Sequence, residues 1–552
     1  MNITNSIKLF IKIVIAFIIL GYIVFPLFEL IFIGFSKPEN FKSIFRENVL
    51  LAIVNTFVLS IISVIGSAVI GTYLAYCFNY KRIWLSNIFS TFALLPIAIP
   101  PIVGVIAYLF LLSDNGLLIR LTGIKNFNFS GWPAIIIVHL YSFYPLTFLF
   151  VNNFLKTIDN SSIEAARVLG SKKFATFYYI LLPQLKPPLV AASILTLMTS
   201  MASFSAPFIF GGSRRFLTTE IYYAKINGDT SLSALLSILL VLTSLICLVL
   251  FRQYNKKIPV APVTKGVTRR VTSSRKGRFD IAHSIFVAVF ALIILLPVLS
   301  LIFMSLIPDS AVMQTGAAFN FSFANYRSFF SNSDFFAPFT NSTKAGLLAV
   351  LVTVLVALAA AHIVRRKNNS FTSFIDISAL LPYGIPGTVL GICMILTFNT
   401  PSVFSFYNVL IGSFWILPIV YSIRNLPIAV EAIKTSLHTI DKSGEEASAT
   451  MGAGYFHTWR SITLPLLYPS ILEATMLIFI NAFGEFVATV LLYTYSSKTV
   501  PIEIYSQIRG YNNGLAAAYG VVIFLIVLCF ISSIKTINHR IFLKRYGSIP
   551  NR

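Results

Sequence analysis

Long apolar runs alternate with short polar gaps along nearly the whole chain. Six runs fall at about 10–34, 50–78, 88–112, 133–155, 187–210 and 231–251. Six more fall at about 281–306, 342–364, 373–398, 405–433, 467–494 and 515–534. Runs of this length carry an α-helix across a hydrocarbon core of ~30 Å. The pattern predicts an all-α membrane protein of about 12 transmembrane helices. Pro418, Arg424 and Pro427 interrupt the tenth run. The first run follows Lys8 and Lys12, is too long for a signal-peptide core and lacks a small-residue cleavage site, so it reads as a retained span.

Two polar islands break the apolar order, Glu164–Pro183 (EAARVLGSKKFATFYYILLP) and Glu446–Pro465 (EASATMGAGYFHTWRSITLP). Both read E-A-[AS]-x3-G-x9-I-x-L-P, with Glu164/Glu446, Gly170/Gly452, Ile180/Ile462 and Pro183/Pro465 each 282 residues apart. Ser161 and Ser443 stand three residues before their Glu. That is the spacing of a capping box, in which the hydroxyl accepts from the N3 amide and the carboxylate returns to the N-cap amide. The helix formers Ala165, Ala166 and Ala447 follow, and Gly170 and Gly452 fall where a left-handed C′ residue closes a helix. The prediction is a helix of about two turns, ~12 Å long. A second segment carrying Phe174 and Phe177, or Phe456 and Trp459, should then run to a Leu-Pro stop. Ordinary loops would not keep a cap, a stop and two aromatics in register.

The register extends further. LLPIAIP at Leu94–Pro100 matches LLPYGIP at Leu380–Pro386, and Asn55 matches Asn341, all at an offset of 286. Residues 1–251 and 281–552 are therefore two six-span repeats, with 252–280 as a linker. An even span count gives both repeats one orientation. They are parallel repeats about an axis along the membrane normal, and a pathway is expected between them.

Charge fits this plan. The chain carries 42 Lys and Arg against 19 Asp and Glu, a net charge of +23. Alternating sides from a cytoplasmic amino terminus puts 30 of those cations inside and 12 outside, with Arg424 counted at the cytoplasmic end of its helix. The bias follows the positive-inside rule and accounts for the charge without nucleic acid. Residues 252–280 hold nine of these cations, and read either as a topology determinant and tether or as an anionic-lipid contact. Both polar islands then face the cytoplasm.

Enzymatic chemistry finds no footing. Gly66–Thr72 lacks the Lys of a phosphate loop and lies within a span. The six histidines show no paired ligand spacing, and Cys77, Cys247, Cys393 and Cys529 are scattered through apolar segments. No catalytic or metal site is expected. Glu485 is the most central acid within a span. Its counterpart 282 residues earlier is Ser203. The two either line a pathway or fix packing. Arg424 either pairs with a carboxylate or snorkels to the cytoplasmic surface, and snorkelling is the expectation. Pro96, Pro100 and Pro101, echoed by Pro382 and Pro386, mark kinks that are either gating or static.

These motifs resemble the inner-membrane permease of an ATP-binding-cassette importer of the type I fold, with two permease units fused. SFSAPFIFGG in the first half makes the chain most similar to ferric-iron permeases; thiamine, phosphonate and polyamine permeases share much of the pattern. The resemblance implies that an extracytoplasmic binding protein delivers cargo. It also implies that two ATPase subunits, holding ATP and Mg²⁺, dock on the polar islands from the cytoplasm. Glu164, Ala165, Ala166 and Gly170, with Glu446, Ala447 and Gly452, then couple ATPase movement to the spans. Ser448 replaces the usual second Ala of the later copy and is expected to loosen that dock. A secondary transporter also has twelve spans in two parallel halves, but should show several acids within them. A membrane enzyme would need clustered nucleophiles or ligands.

Overall fold

In a computed structural model the described residues are 3–36, 42, 44–113, 116–123, 129–156, 161–257, 278–308, 321–366, 369–441 and 443–546. Every regular element among them is helical. The main helices are α1 (Ile3–Ile19), α2 (Phe25–Phe35), α3 (Glu47–Tyr80), α4 (Pro101–Leu112), α5 (Gly131–Leu155), α6 (Ser161–Val168), α7 (Leu182–Met201), α8 (Leu217–Ile226) and α9 (Thr230–Lys257). There follow α10 (Arg278–Ser305), α11 (Ser333–Arg366), α12 (Ser370–Leu380), α13 (Gly387–Phe398), α14 (Ile416–Thr439), α15 (Ser443–Thr450), α16 (Leu464–Phe483), α17 (Val500–Arg509) and α18 (Asn513–Tyr546). Among the described residues, eleven helical stretches are long and apolar enough to cross a membrane, or up to 12 when a bent pair is counted as one span. The predicted all-α membrane fold stands.

Proline shapes the spans in two ways. In the ninth span Ile385 and Pro386 adopt extended ψ, as expected where the next residue is Pro or the ring removes a donor. The axis turns by 114° between Ser370–Gly384 and Gly387–Phe398. The third span breaks alike, with Ile99 extended between Leu95–Ala98 and α4.

The second device is a π turn ahead of proline. Leu20–Val24, Phe177–Leu181 and Trp459–Thr463 are π turns, and Pro26, Pro183 and Pro465 each follow two residues later. A proline ring clashes with the carbonyl four residues back. Those carbonyls, on Tyr22, Tyr179 and Ser461, all lie within the wider turn. The expected Leu-Pro stop is thus a continuation. The fifth and eleventh spans begin well before their prolines and run unbroken over Phe174–Met201 and Tyr455–Phe483.

The chain forms two compact packing units. One comprises Met1–Pro38, Gly228–Ile238 and Ala324–Arg552. Within it α2 packs on α13, the Tyr22 hydroxyl donates to the Phe404 carbonyl at 2.7 Å, and the Tyr22 and Phe398 rings stack at 5.4 Å. Gly21, inside the first π turn, leaves the room that the Phe404 ring occupies. The other unit comprises Glu39–Asn227 and Leu239–Phe323. There α10 packs on α4, and Ser300 Oγ donates to the Ala107 carbonyl at 2.9 Å. The packing units therefore cross the sequence repeats 1–251 and 281–552, since the lead span of each repeat sits with the body of the other. Most of the linker, residues 258–277, lies outside the described residues.

Candidate functional site

The polar islands fold as two short helices of equal length. α6 and α15 each have eight residues, matching the two predicted turns. Gly170 has φ +76° and Gly452 +80°, so both occupy the left-handed C′ position. The Ser171 amide donates to the Ala166 carbonyl at 2.9 Å, and the Ala453 amide to the Ser448 carbonyl at 3.1 Å. In the second copy the Gly452 amide also reaches the Ala449 carbonyl at 3.0 Å, which completes a Schellman motif.

The helix starts differ from the expectation. Ser443 is itself the first residue of α15, and its amide donates to Asp441 Oδ1 at 3.0 Å. The Asp441 carboxylate thus takes hydrogen bonds from both the amide and the side chain of Ser443 at this start. These hydrogen bonds keep the Asp441 carboxyl below its ordinary range. The side chain of Ser161 lies outside the described residues. Glu164, Ala165, Glu446 and Ala447 are exposed, and Ala166 is buried. Val168 and Met451 are each 87% exposed, which gives both helix ends a bare apolar side chain.

Each short helix is tied to the span that follows it. Ser448 Oγ lies 2.9 Å from Thr458 Oγ1, and Thr463 Oγ1 donates to Glu445 Oε1 at 2.8 Å. Ser448 therefore ties α15 to the segment that leads into the next span. In the first copy Thr176 Oγ1 donates instead to Ser171 Oγ at 3.1 Å. Ile163 and Leu181, the counterparts of Glu445 and Thr463, are both buried.

Glu485 and Ser203 fall in different packing units. Glu485 Oε1 accepts from Arg424 Nη1 at 2.6 Å and from the Ala488 amide at 3.0 Å. The snorkelling expectation for Arg424 fails for a geometric reason. The span begins at Ile416 rather than 405, so Arg424 sits about 12 Å along a helix of about 36 Å, far from the cytoplasmic end assumed for it. Moving this one cation leaves the inside bias intact. Ser203 Oγ lies 3.0 Å from His139 Nε2. His139 Nδ1 lies 3.0 Å from Ser63 Oγ and 3.1 Å from Ser200 Oγ. His139 is the counterpart of Tyr421 at the offset of 282, and the Tyr421 hydroxyl lies 2.7 Å from Thr489 Oγ1.

The sequence matches the family described as "Binding-protein-dependent transport system inner membrane component" twice, over residues 67–258 and 349–542. The chain belongs to that family. This permease is 31% identical over 379 residues to "Probable ABC transporter permease protein y4fN" of Sinorhizobium fredii, covering 68% of this chain and 66% of that protein. It is 28% identical to "Ferric transport system permease protein FbpB" of Actinobacillus pleuropneumoniae, over 90% of this chain and 72% of the relative. It is 27% identical to "Fe(3+)-transport system permease protein FbpB 2" of Haemophilus influenzae, over 88% and 90%. The fused two-unit length and the type I ABC permease class agree with the sequence reading.

The permease also repeats a polar latch that the sequence did not reveal. Asn55 Nδ2 donates to the Arg215 carbonyl at 2.9 Å, and Asn341 Nδ2 to the Lys498 carbonyl at 2.9 Å. Arg215 pairs with Glu220 at 3.0 Å and Lys498 with Glu503 at 3.5 Å. The next residue contributes too. The Leu217 amide donates to Thr56 Oγ1, and the Val500 amide to Ser342 Oγ, each at 2.9 Å. Each latch pins the helix before the last span of a repeat, α8 or α17, to the start of its second. The repeated Asn-Thr and Asn-Ser pairs were the available signal.

Proposed function

We propose that this permease takes ferric iron from an extracytoplasmic binding protein and passes it inward when two ATPase subunits hydrolyse ATP with Mg²⁺. The chain itself holds no cofactor on this reading. The observation that carries it is the pair of equal eight-residue helices, α6 and α15, each closed by a left-handed glycine and followed directly by a span. A rigid short helix with an exposed face suits docking, and its ties to the next span suit transmission of movement. Glu164, Ala165, Ala166 and Gly170, with Glu446, Ala447 and Gly452, are the docking residues. Support for iron comes from the two ferric relatives, which span most of the chain.

Both termini and residues 252–280 lie in the cytoplasm on this reading, which rests on the cation bias. Labelling of a single cysteine at Ser273 from outside intact cells would overturn that orientation. The cargo is tested in proteoliposomes holding the chain, its ATPase subunits and the cognate binding protein. Uptake of radiolabelled ferric ion that requires both ATP and the binding protein is expected. Uptake of thiamine, a phosphonate or a polyamine in place of iron would contradict it.

A further inference from the structure

Arg424 carries more hydrogen-bonding capacity than its pairing uses. A guanidinium offers five N–H donors, and the bond to Glu485 Oε1 occupies one of them. The Ala488 amide binds the same carboxylate oxygen, so the pair is a single-point contact rather than a two-pronged fork. The Arg424 side chain is 34% exposed and that of Glu485 8%. A cation so deep in a span is costly against lipid and faces protein or a water-filled path instead.

The backbone makes room for this cation. Gly387 opens α13 just after the 114° bend, and a Cβ there would overlap the Arg424 guanidinium and crowd Val487. Next to it the Thr388 hydroxyl is buried and has no partner among the described residues. Glu485 follows the end of α16 at Phe483. Two helix interruptions, at residues 385–386 and 484–488, thus meet at one guanidinium. The equivalent positions in the first repeat, 282 residues earlier, are Ser142 and Ser203. That repeat has no such charge pair at these positions.

A bare metal cation would be repelled by Arg424. An oxyanion would find a planar donor set with donors to spare. We propose that Arg424 recognises an oxyanion of the carboxylate or phosphate class within the membrane, and that Glu485 is the counter-ion this anion displaces. The proposal rests on the chain being a transport permease. The anion arrives either as a ligand accompanying the metal or as cargo in its own right. Between arrivals Glu485 keeps the guanidinium neutralised, since an unpaired charge at depth is costly. Competition from a tethered carboxylate keeps anion affinity low, which suits release rather than storage.

The sign of one substitution separates this role from a purely structural ion pair. In nanodiscs, binding of radiolabelled inorganic phosphate and of citrate to the full chain is measured for the wild type, Glu485→Gln, Arg424→Gln and Arg424→Lys. Glu485→Gln removes the competitor and should tighten binding by about tenfold. Arg424→Gln should abolish it, and Arg424→Lys, which keeps charge without the fork, should fall between. Co-purification of the ATPase subunits reports folding for each variant. A second arm compares uptake of labelled iron supplied with citrate or phosphate against uptake of labelled phosphate alone. Iron uptake that needs the anion assigns it as a ligand, and phosphate accumulation without iron assigns it as cargo. Because the binding arm contains no iron, failure of iron uptake would remove the iron reading and leave this proposal standing. Equal anion binding by wild type and Arg424→Gln, or weaker binding by a folded Glu485→Gln, would overturn it.

Discussion

Thr463 Oγ1 donates to Glu445 Oε1 at 2.8 Å, joining the first turn of α15 to the π turn near the start of the eleventh span. One turn further on, Ser448 and Thr458 make a second tie at 2.9 Å. A push on α15 therefore reaches the span through side chains as well as through the connecting backbone. In the first copy buried Ile163 and Leu181 stand where Glu445 and Thr463 do. The same two positions are apolar and buried in one repeat and hydrogen-bonded to each other in the other.

Thr463→Val should leave the Glu445 carboxylate without this partner. A single hydrogen bond to a charged group is worth roughly 1.5–3 kcal/mol, spread here over a partly exposed junction. Folding and membrane abundance should change little. ATP-driven uptake should fall several-fold, and the Glu445→Leu/Thr463→Val pair, which recreates the apolar junction, should recover much of it. Uptake and immunoblots for both variants check this, and no recovery in the pair would remove the mechanical role.

Gly170 and Gly452 test the helix ends. A Cβ at either position meets nothing within 4 Å, so the penalty is conformational alone, on the order of 1 kcal/mol. Gly→Asp at either site should leave membrane abundance near wild type and sharply reduce uptake and ATPase association. Gly→Asn, which tolerates the left-handed region better, should retain more of both. Loss of the protein itself in all four variants would show that the glycines serve folding instead.

Asp441 gives an acid dependence with a defined sign. Its carboxyl is depressed by hydrogen bonds from Ser443, so its contribution is present above the ordinary carboxylate range, near pH 4. That contribution is lost as pH falls through the depressed value. Protection of the amides at the start of α15, measured relative to their intrinsic exchange rates, should fall below about pH 4 and stay level above about pH 5. Asp441→Asn should flatten the profile. An unchanged profile in that variant would assign the start of the helix to another group.

What could be read from the sequence was what is local. Apolar run length revealed the spans, and Gly170 and Gly452 revealed their φ because a helix end needs few residues to specify it. The Leu-Pro stop was misread because a proline rule for regular helices does not anticipate a π turn that moves the obstructing carbonyl. Arg424 and Glu485 are 61 residues apart in sequence, and nothing in either run marks the other as its partner. The crossing of repeats by packing units was hidden for a related reason: a repeat records which residues correspond, whereas packing depends on which apolar faces meet.

The claim that α6 and α15 dock the ATPase is tested most directly by site-directed cross-linking. Cysteines at Ala165 and Ala447, both exposed, are introduced one at a time into a chain whose Cys77, Cys247, Cys393 and Cys529 are replaced. The transporter is then assembled in membranes with its ATPase subunits and treated with a short bifunctional maleimide. Each cysteine should yield a product of chain plus one ATPase subunit, and the double variant should capture two. A complex that transports normally yet yields no such product from either cysteine would contradict the account.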